Sequence, residues 1–330
     1  MSSLSDEFFL IREWEQFWVD IQPFLLQRGY RLRPRYDPNW KPSWLQVKPG
    51  KDPNPLLYED SLFSKGDILI DAIRMEDGQK VVLKKVETAT QEIPFATTFS
   101  SKEWKKDPRN CCVPILDVIM IPCDDDHAFI GLEFLHDGNI AHGDICWGNI
   151  MMDPSKVIPK GTHFVLWNSH TGKPFKKFEW KTRWSVKPVQ YYIIDFGISM
   201  KCLDKDALGL GQWGQDKTVP EMLKNEWCNL LMVDIYQLGN VFKQCLSTYQ
   251  GLYAFAELAD MMTKENPNER PTAAESVRMC KKIIADATGT DNMTNRVWKI
   301  KRLLDGKLGS GLMLTTLERM QVRCGWNPTV

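Results

Sequence analysis

His142-Gly143-Asp144-Ile145-Cys146-Trp147-Gly148-Asn149 sets a carboxylate and a side-chain amide in the spacing H-x-D-x-x-x-x-N, so that both sit on one tight loop. Further on, Asp195-Phe196-Gly197 follows the apolar run Tyr191-Tyr192-Ile193-Ile194. Asp195 is therefore expected to emerge from the end of a buried strand. A D-F-G triplet alone arises by chance in many chains. The two motifs in this order decide the fold, because each brings a hard oxygen donor to a loop beside a strand.

The chain has 330 residues and a mass of 38.2 kDa, enough for one two-part domain with extensions. Hydrophobic residues make up 43% and charged residues 25%, so a sizeable core can form. Lys plus Arg and Asp plus Glu each total 42, which gives the whole chain no electrostatic pull toward polyanions. The nine cysteines form no C-x-x-C pair, and an odd number argues against a complete disulfide set. An intracellular, cytoplasmic or nuclear, setting is expected. The first 27 residues carry too many charges for a signal peptide or a membrane span, and no membrane partner is expected.

Leu10, Trp14, Phe17, Ile21, Phe24 and Leu25 recur at helical spacing and predict a helix that docks on the folded body. Residues 29–55 read as an irregular stretch wrapped over the surface, or else a recognition segment. Residues 67–74 and 79–86 read as strands joined at Glu76-Asp77-Gly78. Residues 113–121 form another β-rich run, followed by an acidic turn at Asp124-Asp125-Asp126 and a short strand at 128–130. Helices are expected over 230–246, 252–262 and 273–285, the last capped at Thr272, and again in the tail from Asn292 to Val330. Strands first and helices later describe an α+β architecture.

With these motifs in place, the chain resembles the eukaryotic protein kinase family, and most closely a divergent group of kinase-like proteins found in fungi. The match runs from about Asp67 to Ala285. It implies a two-lobed protein-kinase-like fold with a small β-rich lobe and a larger, mainly helical one. The implied boundaries are an extension at 1–66, a small lobe at 67–130, a large lobe at 131–287 with a basic insertion at 155–189, and a helical tail at 288–330. Val82-Leu83-Lys84 matches the V-A-I-K strand, which implies that Lys84 neutralises ATP phosphates. Lys85 points to the opposite face, and strand register decides between the two. Glu92 is the candidate partner for Lys84, with Glu87 and Glu103 as competitors. The resemblance makes Asp144 the catalytic base, and Asn149 and Asp195 the ligands of Mg2+. Val219-Pro220-Glu221, Arg270 and Asp234 match structural supports of the family.

The departures are specific. No glycine-rich phosphate loop precedes Lys84, Gly143 replaces the arginine of H-R-D, and Cys146 stands where a phosphate-contacting lysine is usual. Only eleven residues separate Ile130 from His142, where on the order of 30 more would be needed for the adenine-binding hinge and its helices. The hinge region thus reads as deleted. Conversely, Asn149 and Asp195 stand 46 positions apart. The insertion between them interleaves Lys156, Lys160, Lys173, Lys176, Lys177, Lys181, Arg183 and Lys187 with six aromatic residues. Such a pattern can bind single-stranded nucleic acid, but insertions of this kind more often recruit protein or cover the surface. The expectation is an ATP- and Mg2+-dependent kinase acting on a protein hydroxyl, of Ser/Thr type, with ATP and a protein substrate as partners. The alternative is a catalytically weak pseudokinase that serves as a scaffold.

Overall fold

Amphipathic periodicity and β-branched alternation divide the chain much as the sequence suggests, and a computed structural model describes residues 10–90, 92–103, 106, 115–121, 124–130, 139–210, 214–288 and 298–299. The helix α1 (Glu13–Gln27) passes through Gly29, whose φ of 87° suits a residue without a Cβ, into strand β1 (Tyr30–Leu32). Strands β2 (Leu69–Arg74) and β3 (Lys80–Glu87) form an antiparallel hairpin whose turn uses Gly78 at φ 72°. Helix α2 (Glu92–Phe99), β4 (Ile119–Ile121) and β5 (Asp124–Ile130) complete this part, and the five strands run in the order β1-β2-β3-β5-β4. All described pairings are antiparallel. β3, which carries Lys84, is the central strand.

The face of α1 that meets the sheet is rotated from the apolar stripe read in the sequence. Its buried residues are Glu15, Trp18, Gln22 and Leu25, at intervals of three and four. Phe17, Ile21 and Phe24 pack at the flank, whereas Leu10 and Trp14 are exposed. Burying Trp18 and Leu25 against Tyr36, Ile70 and Leu83 supplies about 2 kcal/mol each by area. The two polar members have their own partners. Gln22 Oε1 accepts a hydrogen bond from Leu32 N at 3.2 Å. Glu15 receives the Arg35 guanidinium at 2.8 and 3.0 Å, with neither side chain exposed. Arg35 also lies 4.9 Å from the Trp40 ring centroid. Residues N-terminal to Asp67 thus supply both an edge strand and a buried ion pair.

After residue 138 the described chain opens with short antiparallel pairs. β6 (Ile140–Ala141) pairs with β9 (Met200–Lys201), and β7 (Ile150–Met152) pairs with β8 (Tyr191–Ile193). Next come β10 (Leu208–Gly209), α3 (Pro220–Lys224), β11 (Cys228–Asn229) and α4 (Leu230–Thr248). They are followed by β12 (Tyr249–Gln250), α5 (Ala256–Met262), α6 (Ala273–Thr288) and β13 (Trp298–Lys299). Pro220 fills the first position of α3, where its missing N–H leaves nothing unsatisfied. Thr272 and Glu275 exchange hydrogen bonds in a capping box ahead of α6. Ile235, Leu258 and Met262 form the core between α4 and α5. The molecule is a mixed α+β structure with small antiparallel sheets and several helices.

Further local readings change. The aspartates at 124–126 lie in β5, not in a turn, because Asp124 already pairs with Ile121. Of the run expected from 113, residues 115–118 are not strand and 119–121 form β4. Within the tail, where helices were expected, Trp298 and Lys299 instead pair with β12. The rest of the tail and residues 131–136, which the sequence suggests as the last turns of a helix leading into the loop at 142–149, lie outside the described residues. Among the described residues no helix is long and apolar enough to cross a membrane.

Removing one member of a buried pair leaves the other charge uncompensated. Glu15→Ala is therefore expected to lower unfolding stability by about 3–5 kcal/mol, read as an earlier urea midpoint at unchanged slope.

Candidate active site

Strand register settles which of two adjacent lysines turns inward. Lys84 Nζ lies 2.6 Å from Glu92 Oε1 and 2.9 Å from Asp195 Oδ1, so one ammonium joins β3, the first turn of α2 and the loop after β8. Lys85 points the other way, with Nζ 4.5 Å from the Phe17 ring centroid on α1. The short separation between Lys84 and Glu92 works because α2 starts at Glu92 itself, which leaves Pro94 in the first turn where no backbone donor is lost. Glu87 and Glu103, the competing carboxylates, are both exposed. Burial would lower the Lys84 pKa, but Glu92 and Asp195 outweigh it and hold the ammonium above its ordinary value.

Asp195 has φ 71°, a left-handed backbone that a non-glycine residue adopts only when its surroundings impose it. The imposition comes from the next residue. Phe196 is fully buried between Phe99 of α2 and His142, whose ring centroid is 4.9 Å away. With Phe196 anchored inward, the Asp195 carboxylate projects outward, 44% exposed.

Asp144 and Asn149 share the preceding loop. Asn149 Nδ2 donates to Asp144 O at 2.9 Å and to its Oδ2 at 3.0 Å, which turns the amide oxygen of Asn149 away from Asp144. Gln215, a residue that the sequence reading passed over, contributes two more donors. Its backbone N–H bonds Asp144 Oδ1, and its side-chain amide bonds Oδ2 at 3.2 Å. A Cβ on Gly214 would lie 2.5 Å from Asp144 Oδ1, so only glycine permits this approach. The two loops are bonded to each other: Ile194 N donates to Asn149 O at 2.9 Å, and His142 Nε2 lies 3.0 Å from Ile194 O. Lys84, Glu92 and Asp195 thus form one group and Asp144, Asn149 and Gln215 a second, linked through the residue before Asp195.

The backbone at 142–145 is held from α4. Asp234 accepts from His142 N at 2.7 Å and from Gly143 N at 2.8 Å. Gln237, one turn later and likewise missed, accepts from Ile145 N and donates to Gly143 O. Its only sequence signal was the i+3 spacing from Asp234. Arg270 forks onto Glu221 at 2.6 and 3.0 Å, with both side chains buried.

Gly143 adopts φ 80°, so glycine at this position relieves backbone strain while leaving no cation there. Burial, assisted by Asp144, pushes the Cys146 thiol up to about 11. It is therefore neutral near pH 7 and is not a reactive thiolate. Among the described residues, no three His, Cys, Asp or Glu side chains gather into a metal site. No protein-family model matches the chain, and no curated protein matches it.

His142 is fully buried, accepts from Asp144 N through Nδ1, and offers its Nε2 proton to Ile194 O. Burial holds its pKa below the ordinary 6.5 despite the pull of Asp234. Below pH 6.5 the unfolded chain therefore binds a proton that the folded chain refuses, and stability falls as pH drops. Relative to His142→Gln, the native chain is expected to lose stability as pH falls below 6.5, by at most about 1.4 kcal/mol per pH unit. Chemical denaturation at several pH values measures this difference.

Proposed function

We propose that this chain is a protein-kinase-like phosphotransferase that moves the γ-phosphoryl group of ATP, with Mg2+, to a protein hydroxyl. The observation that carries the proposal is the Lys84–Glu92–Asp195 contact set, assembled from three separated segments beside a loop that bears Asp144 and Asn149. The accompanying fold proposal is a two-lobed kinase-like arrangement, with the five-stranded sheet in the smaller lobe and α3 to α6 in the larger.

The donor set fits the metal. Mg2+ is bound through one or two carboxylates, with substrate phosphates and water completing an octahedron, so a dedicated cluster of acids is not required. Asp195 offers an exposed carboxylate whose Oδ1 meets Lys84, and Asn149 offers the amide oxygen opposite its bonds to Asp144. When bound, Mg2+ neutralises charge on the transferring phosphoryl group. The protein's own part is positioning. Lys84, kept charged by its two carboxylates, would bind phosphate oxygens. Asp144 would orient the acceptor hydroxyl and take its proton, replacing a donor from Gln215 as it does so. Phe196 keeps Asp195 turned toward the site.

A weakly active, scaffold-like reading is supported by the short stretch between Ile130 and His142, by the missing glycine-rich loop before Lys84 and by Cys146, whose neutral thiol supplies no cation beside Asp144. Thermal unfolding with ATP and Mg2+ separates the two. Nucleotide at 100 times its dissociation constant should stabilise the native chain by about 2.7 kcal/mol, and Asp195→Asn should abolish the shift. In the kinase reading, Asp144→Asn keeps the shift but lowers phosphoryl transfer on the order of 10²–10⁴-fold. A cooperative melt that ATP and Mg2+ leave unchanged would overturn the nucleotide site.

A further inference from the structure

The long insertion between Asn149 and Asp195 is rooted at the site itself. It leaves at the end of β7, which directly follows Asn149, and returns through β8, which ends two residues before Asp195. It is also internally packed. Met152, Val157 and Ile158 bury against Trp167, Phe178, Val186 and Val189, so two of its aromatic residues serve as core. His170 ties its turns together, with Nδ1 2.6 Å from Gly161 O and Nε2 accepting from Glu179 N.

The far end of this packed unit reaches the five-stranded sheet. His163 is buried, and its Nδ1 accepts from Val165 N and Leu166 N. The proton is therefore on Nε2, which donates to Glu59 Oε1 at 3.1 Å. Glu59 lies 3.5 Å from Arg33, and Arg33 Nε bonds Asp71 of β2 at 2.9 Å. Lys80 of β3 adds a contact to His170 O at 3.5 Å. The fit is tight: a Cβ on Gly172, at φ 75°, would lie 2.6 Å from Glu59 Cγ and 2.9 Å from the His163 ring.

We propose that residues 161–173 form a strap from the loops bearing Asn149 and Asp195 to the sheet bearing Lys84, with His163 and Glu59 as positioning residues that set the spacing of the phosphate-binding groups. The strap rests on the nucleotide-site reading above and extends it. It accounts for two sequence departures together, since a chain with only eleven residues between Ile130 and His142 needs a second tie between these parts. Neither His163 nor Glu59 touches Lys84, Asn149 or Asp195, so both act through the segments that they join, Glu59 by way of Arg33 and Asp71.

The experiment compares the full chain with Glu59→Ala, Glu59→Gln and His163→Ala. Dissociation constants for ATP with Mg2+ come from titration calorimetry, and amide exchange is followed at Val165 and Leu166. Glu59→Ala and His163→Ala should each weaken ATP binding about tenfold, equivalent to about 1.4 kcal/mol, and should expose both amides. Glu59→Gln, whose amide oxygen can still accept from His163, should stay within about twofold of the native value. Amides that remain protected in Glu59→Ala would overturn the strap. Exposed amides with unchanged ATP affinity would overturn its positioning role. A native chain that binds no ATP would overturn the nucleotide reading and this role with it, and that result would appear before any substitution is made.

Discussion

One ammonium group organises the candidate site. Lys84 Nζ meets Glu92 and Asp195 within 3 Å, and these residues belong to the central strand, the helix after it and a loop more than a hundred residues away. A lysine side chain inserted between two carboxylates must keep its proton, because loss of that charge would leave two acids facing each other. The same demand fixes the register of β3, since a slip by one residue would turn Lys85 inward and send Lys84 toward Phe17. Sheet register, the start of α2 and the direction of Asp195 are therefore coupled through one contact.

The remaining supports follow a common pattern in which a buried side chain holds backbone that has no secondary-structure partner. Asp234 and Gln237 accept and donate along the loop at 142–145, which is too irregular to satisfy its own amides. Phe196 performs the apolar counterpart and wedges α2 against the loop that carries Asp195. Left-handed backbone at Gly143 and Asp195 falls on either side of this arrangement. Strained backbone persists only where its surroundings over-determine it, and here hydrogen bonds from α4 and a fully buried ring do so.

Charge is handled differently in the N-terminal part. Arg35 and Glu15 are both fully buried, and further carbonyl and aromatic contacts to the guanidinium complete the cage. A pair of this kind contributes specificity to the docking of α1 more than net stability, because desolvation offsets much of its attraction. The insertion at 155–189 follows a related logic. Its lysines face outward, two of them toward Glu179, while Trp167 and Phe178 are spent on its own core. Phe175 and Trp180 of the same insertion stay exposed.

The sequence by itself determined the two loops at 142–149 and 195–197, the hairpin at 76–78, the cap of α6 and the division into strands followed by helices. Each of these depends on residues close together in the chain, where spacing alone carries the physics. Lys84, Glu92, Asp144, Asn149 and Asp195 could be named as candidates, but the choice between Lys84 and Lys85 waited on register. Tertiary structure alone decided that Glu15 and Gln22 line the buried face of α1. It likewise decided that Gln215 bonds Asp144, that Gln237 braces the loop and that His163 meets Glu59. All of these are polar residues whose role depends on a partner 10 to 104 positions away. No local pattern distinguishes a buried, partnered polar side chain from an exposed one. Only the folded chain brings the partner close enough to offset the loss of water.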